Sequence, residues 1–120
     1  STARDYLRFC QMLLNKGTLN DVRILRPETV EMMTRDQLPP GVSVGEGVGF
    51  GLGFSVRLKS DPSGAARVGE YGWSGAASTF FGISPDDESI VMLLTQYMPY
   101  SETIPATLKP LVYAAFNGQN

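Results

Sequence analysis

Histidine is absent from all 120 residues, and that absence excludes more chemistry than any motif present. Without an imidazole the chain holds no Ser-His-Asp or Cys-His catalytic set of its own, and no histidine-ligated zinc. Cysteine occurs once, at Cys10, so no internal disulfide can form, and neither a metal nor a cofactor is expected. Cys10 lies on the apolar side of a helical pattern and reads as a small core residue. Charge is sparse and balanced, with ten Lys and Arg against twelve Asp and Glu for a net charge of −2. No basic stripe exists to neutralise phosphates, which argues against nucleic acid as a partner. Long apolar runs are missing too. The longest, Ile90 to Leu94, is strand-sized and far short of the roughly 18–20 residues that span a bilayer. No membrane span is expected, and the chain reads as soluble, with no compartment indicated.

What remains is a globular composition, 42% hydrophobic and 18% charged, of a size for one domain. The chain opens on Ser1, without Met and inside a helix cap, which predicts a piece of something longer. Asp5 falls three residues after Thr2, close to a capping box. Tyr6, Phe9, Cys10, Leu13 and Leu14 then repeat at the spacing of an amphipathic helix, which Gly17 should end in a left-handed conformation. After a short connector, Pro27 should open a second helix running to about Thr34. A final helix is expected over Thr103 to Phe116, with Leu108, Leu111, Val112, Ala115 and Phe116 buried and Pro110 kinking or interrupting it.

Between the helices the pattern changes to strands. In the run from Gly45 to Lys59, glycines at 45, 47, 49, 51 and 53 alternate with Glu46, Val48, Phe50, Leu52 and Phe54. As one strand, a period of two puts the glycines on one face. That bare face serves either close packing, the favoured reading, or the floor of a ligand cleft. Further strands are expected at about Ala66–Tyr71, Ala76–Ile83 and Ser89–Tyr97, joined by turns short enough to force antiparallel pairing. The sum is an α+β fold: an antiparallel sheet of three to four strands flanked by N- and C-terminal helices.

Functional information concentrates between Gly69 and Met98. Gly72-Trp73-Ser74-Gly75 reads as a glycine-flanked turn at a strand mouth, where small residues let a substrate approach main-chain N–H groups. With Ala76 it is close to a G-x-S-x-G nucleophile elbow. An elbow needs a helix after it and a histidine base, and neither is present, so Ser74 is not read as a nucleophile. Trp73, the only tryptophan, is a core plug or a substrate-facing wall, and its glycine neighbours favour the wall. Asp86, Asp87 and Glu88 read as a solvated hairpin turn, and Asp61 as another turn residue.

The segments STARDYLRFCQMLL, ILRPETVEMM, GFGLGF and YGWSGAASTFFGISPDDESIVMLLTQ together resemble the C-terminal part of serine hydrolases related to class C β-lactamases. That group includes penicillin-binding-protein-like proteins and family VIII esterases. The resemblance implies that residues 1–120 are the C-terminal portion of a β-lactamase/transpeptidase-like fold. In that family the strand lining the site begins with a Lys-Thr-Gly box, often Trp-x-Gly in esterase-like members. Trp73-Ser74-Gly75 stands at that position. Ala76 is similar to the residue whose backbone N–H supplies half of the oxyanion hole, and Tyr71, Trp73, Ser74 and Gly75 would line the substrate site. Trp73 offers an apolar face and an indole N–H rather than a cation, which favours a neutral ester or amide over a carboxylate-bearing β-lactam.

The family's Ser-x-x-Lys nucleophile box and Tyr-x-Asn base element have no counterpart in these residues. The resemblance therefore implies one wall of a hydrolase site, inactive alone. It also implies that the apolar strand Ser89–Tyr97 pairs with N-terminal strands of the full protein; without them its edge should recruit another chain. Two other readings stay open: a non-catalytic ligand-binding module of the same fold, and a structural α+β domain whose glycines serve only packing.

Overall fold

The computed structural model describes residues 1–116. Helix α1 spans Ala3–Leu14; Thr2 caps it by accepting the Asp5 N–H at 3.1 Å, while its hydroxyl donates to the Asp5 carboxylate at 3.0 Å. The first of these bonds meets one of the donors that a helix start leaves unpaired. Beyond the helix the chain turns through Lys16 and Gly17, both at positive φ. A Cβ on Gly17 would lie 2.1 Å from the Leu25 carbonyl oxygen, so only glycine fits.

The expected connector is a small hairpin. β1 (Thr18–Leu19) pairs with β2 (Val22–Arg23), and Asn20 and Asp21 both sit at positive φ between them. That is the geometry of a two-residue primed turn, which Asn and Asp tolerate better than most residues. Helix α2 runs Pro27–Thr34, as its opening proline dictates, and sets Val30 and Met33 against the core.

One five-stranded sheet dominates, in the order β3 (Val48–Phe50), β4 (Ser55–Arg57), β5 (Tyr71–Ser74), β6 (Phe80–Ser84), β7 (Ser89–Leu93), every neighbour antiparallel. The fold is α+β, with one strand more than the upper expectation of four. The extra strand comes from the glycine-rich run, which is a hairpin and not a single strand. It reverses at Gly51–Phe54, where Gly51 N–H donates to Phe54 O at 2.8 Å and Gly53 takes φ +97°. The reversal breaks the alternation, burying Phe54 and exposing Leu52. Gly49 and Gly51 serve close packing: added Cβ atoms would fall 2.6 Å from the Asp36 carboxylate and 2.0 Å from Met33 O.

The sheet's two faces are covered differently. Val56, Tyr71, Phe81 and Ile83, with Ile90 and Met92, meet Cys10 and Leu13 of α1 in one apolar cluster. The opposite face carries α3 (Thr103–Phe116), which buries Pro105 and Tyr113. Its apolar stripe differs from the expected one, since Leu111 and Phe116 are exposed. A nearly all-apolar helix gives no unique face, and polar anchors decide the rotation. Tyr113 donates its hydroxyl to Glu70, and Lys109 Nζ lies 3.1 Å from Glu70 Oε1. Helix α3 continues through Pro110 without interruption; the missing N–H removes one backbone bond while packing at Pro105 and Tyr113 keeps the helix on the sheet.

Three strand boundaries also shift. Residues 66–70 are irregular, because Arg67 and Glu70 turn inward there: Arg67 Nε meets Asp87 at 3.3 Å and Arg67 N–H donates to Glu70. Asp87 is accordingly half-buried and accepts the Ser84 hydroxyl, unlike its solvated neighbours Asp86 and Glu88. β6 starts at Phe80, and β7 ends at Leu93, short of Tyr97. On its outer side β7 has no strand partner among the described residues.

Candidate active site

Gly72, Trp73 and Ser74 form the body of β5 and not a turn. Gly72 is required there, because a Cβ would lie 2.0 Å from the Phe81 carbonyl oxygen of β6. β6 pairs with β5 along all four residues, from Tyr71↔Ile83 to Ser74↔Phe80, whereas β4 reaches only Tyr71 and Gly72. The Trp73–Ser74 half of β5 therefore presents one main-chain edge with no strand partner among the described residues. Trp73 is 52% exposed and makes an edge-to-face contact with Phe50, ring centroids 5.2 Å apart. It stands at the surface and is not a core plug.

Tyr71 departs from the expectation that it lines the substrate site with Trp73. It does share Trp73's sheet face, two residues along. That step carries it under α1, where it is 3% exposed and packed on Phe54. Burial pushes its hydroxyl's pKa well above the ordinary tyrosine value. Its role is to hold the strand, not to line the cleft beside Trp73.

The turn lies one step beyond the motif. Gly75 N–H donates to Thr79 O at 2.8 Å, and Ser78 N–H donates to Gly75 O at 3.0 Å. Neither Ala76 nor Ala77 has a positive φ, while Ser78 sits at +60°. This is a three-residue hairpin, a type I turn closed by a left-handed residue. Ala76 is its first central residue, where the turn leaves the N–H without an internal partner. It accordingly has no hydrogen-bond acceptor among the described residues and lies exposed at the surface.

Two open clefts flank this ridge and share Trp73, Ser74, Gly75 and Phe80. One, about 670 Å³, faces α1 and is bordered by Ser1, Tyr6 and Thr79. The other, about 490 Å³, faces α3 and takes in Ala76, Phe80, Tyr100, Glu102 and Lys109. Tyr100 donates its hydroxyl to Glu102. Burial first, and then the Glu102 hydrogen bond, raises its pKa and keeps it protonated at neutral pH. Lys109 Nζ lies 4.4 Å from the Phe80 ring centroid, besides its ion pair with Glu70. Gly82 makes room for that arrangement: its Cβ would come within 2.8 Å of Glu70 Oε1.

Four of these residues, Ser78, Tyr100, Glu102 and Lys109, were not candidates from the sequence. They approach Ala76 from the hairpin tip, the connection after β7 and α3, and no local spacing announces that. Cys10 is fully buried, and burial raises its thiol to about 11, so it offers no thiolate to either cleft.

A family model described as Beta-lactamase matches residues 1–111. Protein Rv1367c of Mycobacterium tuberculosis is 40% identical over 111 residues, covering 82% of this chain and 28% of that protein. The chain thus spans less than a third of the length of the curated relative it matches. Among solved structures, a variant of simvastatin synthase (LovD) from Aspergillus terreus superposes with a TM-score of 0.77 at 20% identity, over 94% of this chain and 33% of that one. A penicillin-binding protein homolog from Caulobacter crescentus gives 0.62 at 17% identity, over 89% and 30%. The two structures share the sheet-and-helix frame, and the family match runs through the same elements from α1 into α3. On that match the chain belongs to the Beta-lactamase family.

Proposed function

We propose that these residues form one wall of the acyl-transfer site of a serine hydrolase acting on neutral esters or amides. The observation that carries the reading is the Ala76 N–H, without an internal acceptor, at the mouth of β5 beside an exposed Trp73. When a nucleophile adds to an ester or amide carbonyl, negative charge grows on the carbonyl oxygen. A fixed N–H at that point is worth about 3–4 kcal/mol of transition-state stabilisation. No side chain is needed for the task, which accords with Gly75-Ala76-Ala77 at the tip.

Trp73 supplies an apolar face for the acyl or leaving group, and its indole N–H is a donor without charge. Lys109, the cation lining the cleft on the α3 side, is already paired with Glu70 at 3.1 Å. Among the described residues, no unpaired side-chain ammonium lines these clefts for a substrate carboxylate, which supports esters and amides over carboxylate-bearing β-lactams. Ser74 is a wall residue on this reading, since the hydroxyl beside it, Tyr100, is held protonated and so is no base. On this reading the nucleophile and general base come from segments outside residues 1–120 of this sequence.

The test is a comparison of a chromogenic short-chain ester with a chromogenic cephalosporin. The longer protein carrying this segment is expected to turn over the ester with the higher kcat/KM, and the 120-residue chain alone to turn over neither. Preference for the cephalosporin would overturn the substrate assignment. Turnover by the isolated chain would overturn the placement of the nucleophile.

A further inference from the structure

An oxyanion donor helps only if it is held still, and the hairpin that carries Ala76 is held from outside its own strands. Its third residue must adopt a positive φ, a role that glycine fills without strain. This chain places Ser78 there, at φ +60° and 1% exposed. The Ser78 hydroxyl both donates and accepts. It donates to Tyr97 O at 2.9 Å and accepts the Ser101 N–H at 3.0 Å. One residue earlier, Ala77 O accepts from Tyr97 N–H at 3.2 Å and from the Thr95 hydroxyl at 2.5 Å.

Four hydrogen bonds therefore tie Ala77 and Ser78 to residues 95–101, the connection between β7 and α3. Ala76, next to them, makes none with its N–H. Residues 95–101 act as a brace, and among the described residues Ser78 is the only hairpin side chain hydrogen-bonded to it. Serine in the left-handed region is disfavoured relative to glycine, so what it adds at this position comes through its hydroxyl. Strain retained beside a reacting position is a recurrent feature of working sites.

Resting on the reading of Ala76 as an oxyanion donor, we infer that Ser78 is a positioning residue that locks the 75–79 hairpin and thereby aims the Ala76 N–H. Its contact is with Tyr97 and Ser101 and not with substrate. Its effect should fall on the transition state more than on substrate binding. Small displacements of a catalytic donor are costly, with about 1 Å sufficient for a 100-fold loss.

The test uses Ser78→Gly, which keeps the φ the turn requires and deletes both hydroxyl bonds, in the longer protein carrying this segment. Expected are a fall in kcat of about 10-fold or more on the short-chain ester, with KM changed by less than about twofold. Backbone amide order at residues 75–78, from ¹⁵N relaxation, should fall with it. Ser78→Ala is expected to show the same kcat loss, and Thr95→Val a smaller one. A folded Ser78→Gly variant with wild-type kcat would overturn the inference, as would a loss carried entirely by KM. Ala76→Pro, measured alongside, separates the two levels. If Ala76→Pro is impaired and Ser78→Gly is not, the brace alone fails; if Ala76→Pro retains full activity, the oxyanion reading itself fails.

Discussion

Replacing Ala76 by proline removes one hydrogen atom of interest and disturbs little else. Ala76 is the first central residue of the Gly75–Ser78 turn. Proline is favoured at that position because its ring pre-sets the φ that a type I turn uses. The N–H it deletes has no acceptor among the described residues, so no internal bond is lost. The residue before it is Gly75, which has no Cβ to meet the proline ring. Stability should hold, or rise by about 0.4–1 kcal/mol through reduced freedom of the unfolded chain. Catalysis should not hold. Loss of one oxyanion donor costs roughly 100- to 1,000-fold in kcat, or about 3–4 kcal/mol. The assay pairs hydrolysis of a chromogenic short-chain ester by the longer protein with urea unfolding of the same preparations. Ala76→Gly serves as a control that keeps the N–H. A proline variant with wild-type kcat would refute the role of this N–H. Equal losses of stability and activity would show that the turn geometry, and not the donor, had been damaged.

Three further outcomes follow from other parts of the fold. Tyr113→Phe leaves the buried Glu70 carboxylate short of one donor; it should cost about 1.5–3 kcal/mol in urea unfolding, and a loss below about 0.5 kcal/mol would remove this contact as α3's anchor. Burial raises the Cys10 thiol from 9.0 to about 11 in the folded chain. Its contribution to stability is then fully present below pH 9 and lost as pH climbs towards about 11. Melting temperatures of the wild type and Cys10→Ala should therefore converge across that window, and a constant difference would contradict it. The outer edge of β7 has no strand partner among the described residues, and we expect the 120-residue chain to self-associate through it. Light scattering should show oligomers that Leu93→Lys diminishes, whereas a monodisperse wild-type monomer would count against edge pairing.

Legibility from sequence followed the range of the determining interactions. Thr2 with Asp5, Pro27 and the boundaries of the last helix are set by neighbours within a turn or two, and all three helices lie where local signals put them. Gly45–Phe54 was misread as a single strand because period-two alternation looks the same on one strand and on the two arms of a hairpin until Gly53 takes its positive φ. The segment 72–75 was misread as a turn because Gly72 carries a turn residue's signature. Its real constraint is a carbonyl of β6 pressed against it across the sheet. The rotation of α3 was unreadable, since Leu108, Leu111, Val112 and Phe116 leave no unique apolar face and the deciding partner, Glu70, lies some forty residues away in the chain.

The sequence by itself determined the helix ends, the antiparallel class of the sheet, the absence of imidazole, and the run Trp73-Ser74-Gly75-Ala76 on which the proposed wall rests. Those are matters of composition and of contacts close along the chain. Only the tertiary structure decided that Tyr71 faces the core while Trp73, two residues on, faces solvent. It alone showed that the Ala76 N–H is left unpaired and that residues 95–101 brace the hairpin presenting it. A strand's alternation assigns a residue to a face, but where α1 stops covering that face is a property of the packed layers. A backbone N–H, likewise, has no side chain to betray it; whether it is paired depends on every strand and turn that could reach it.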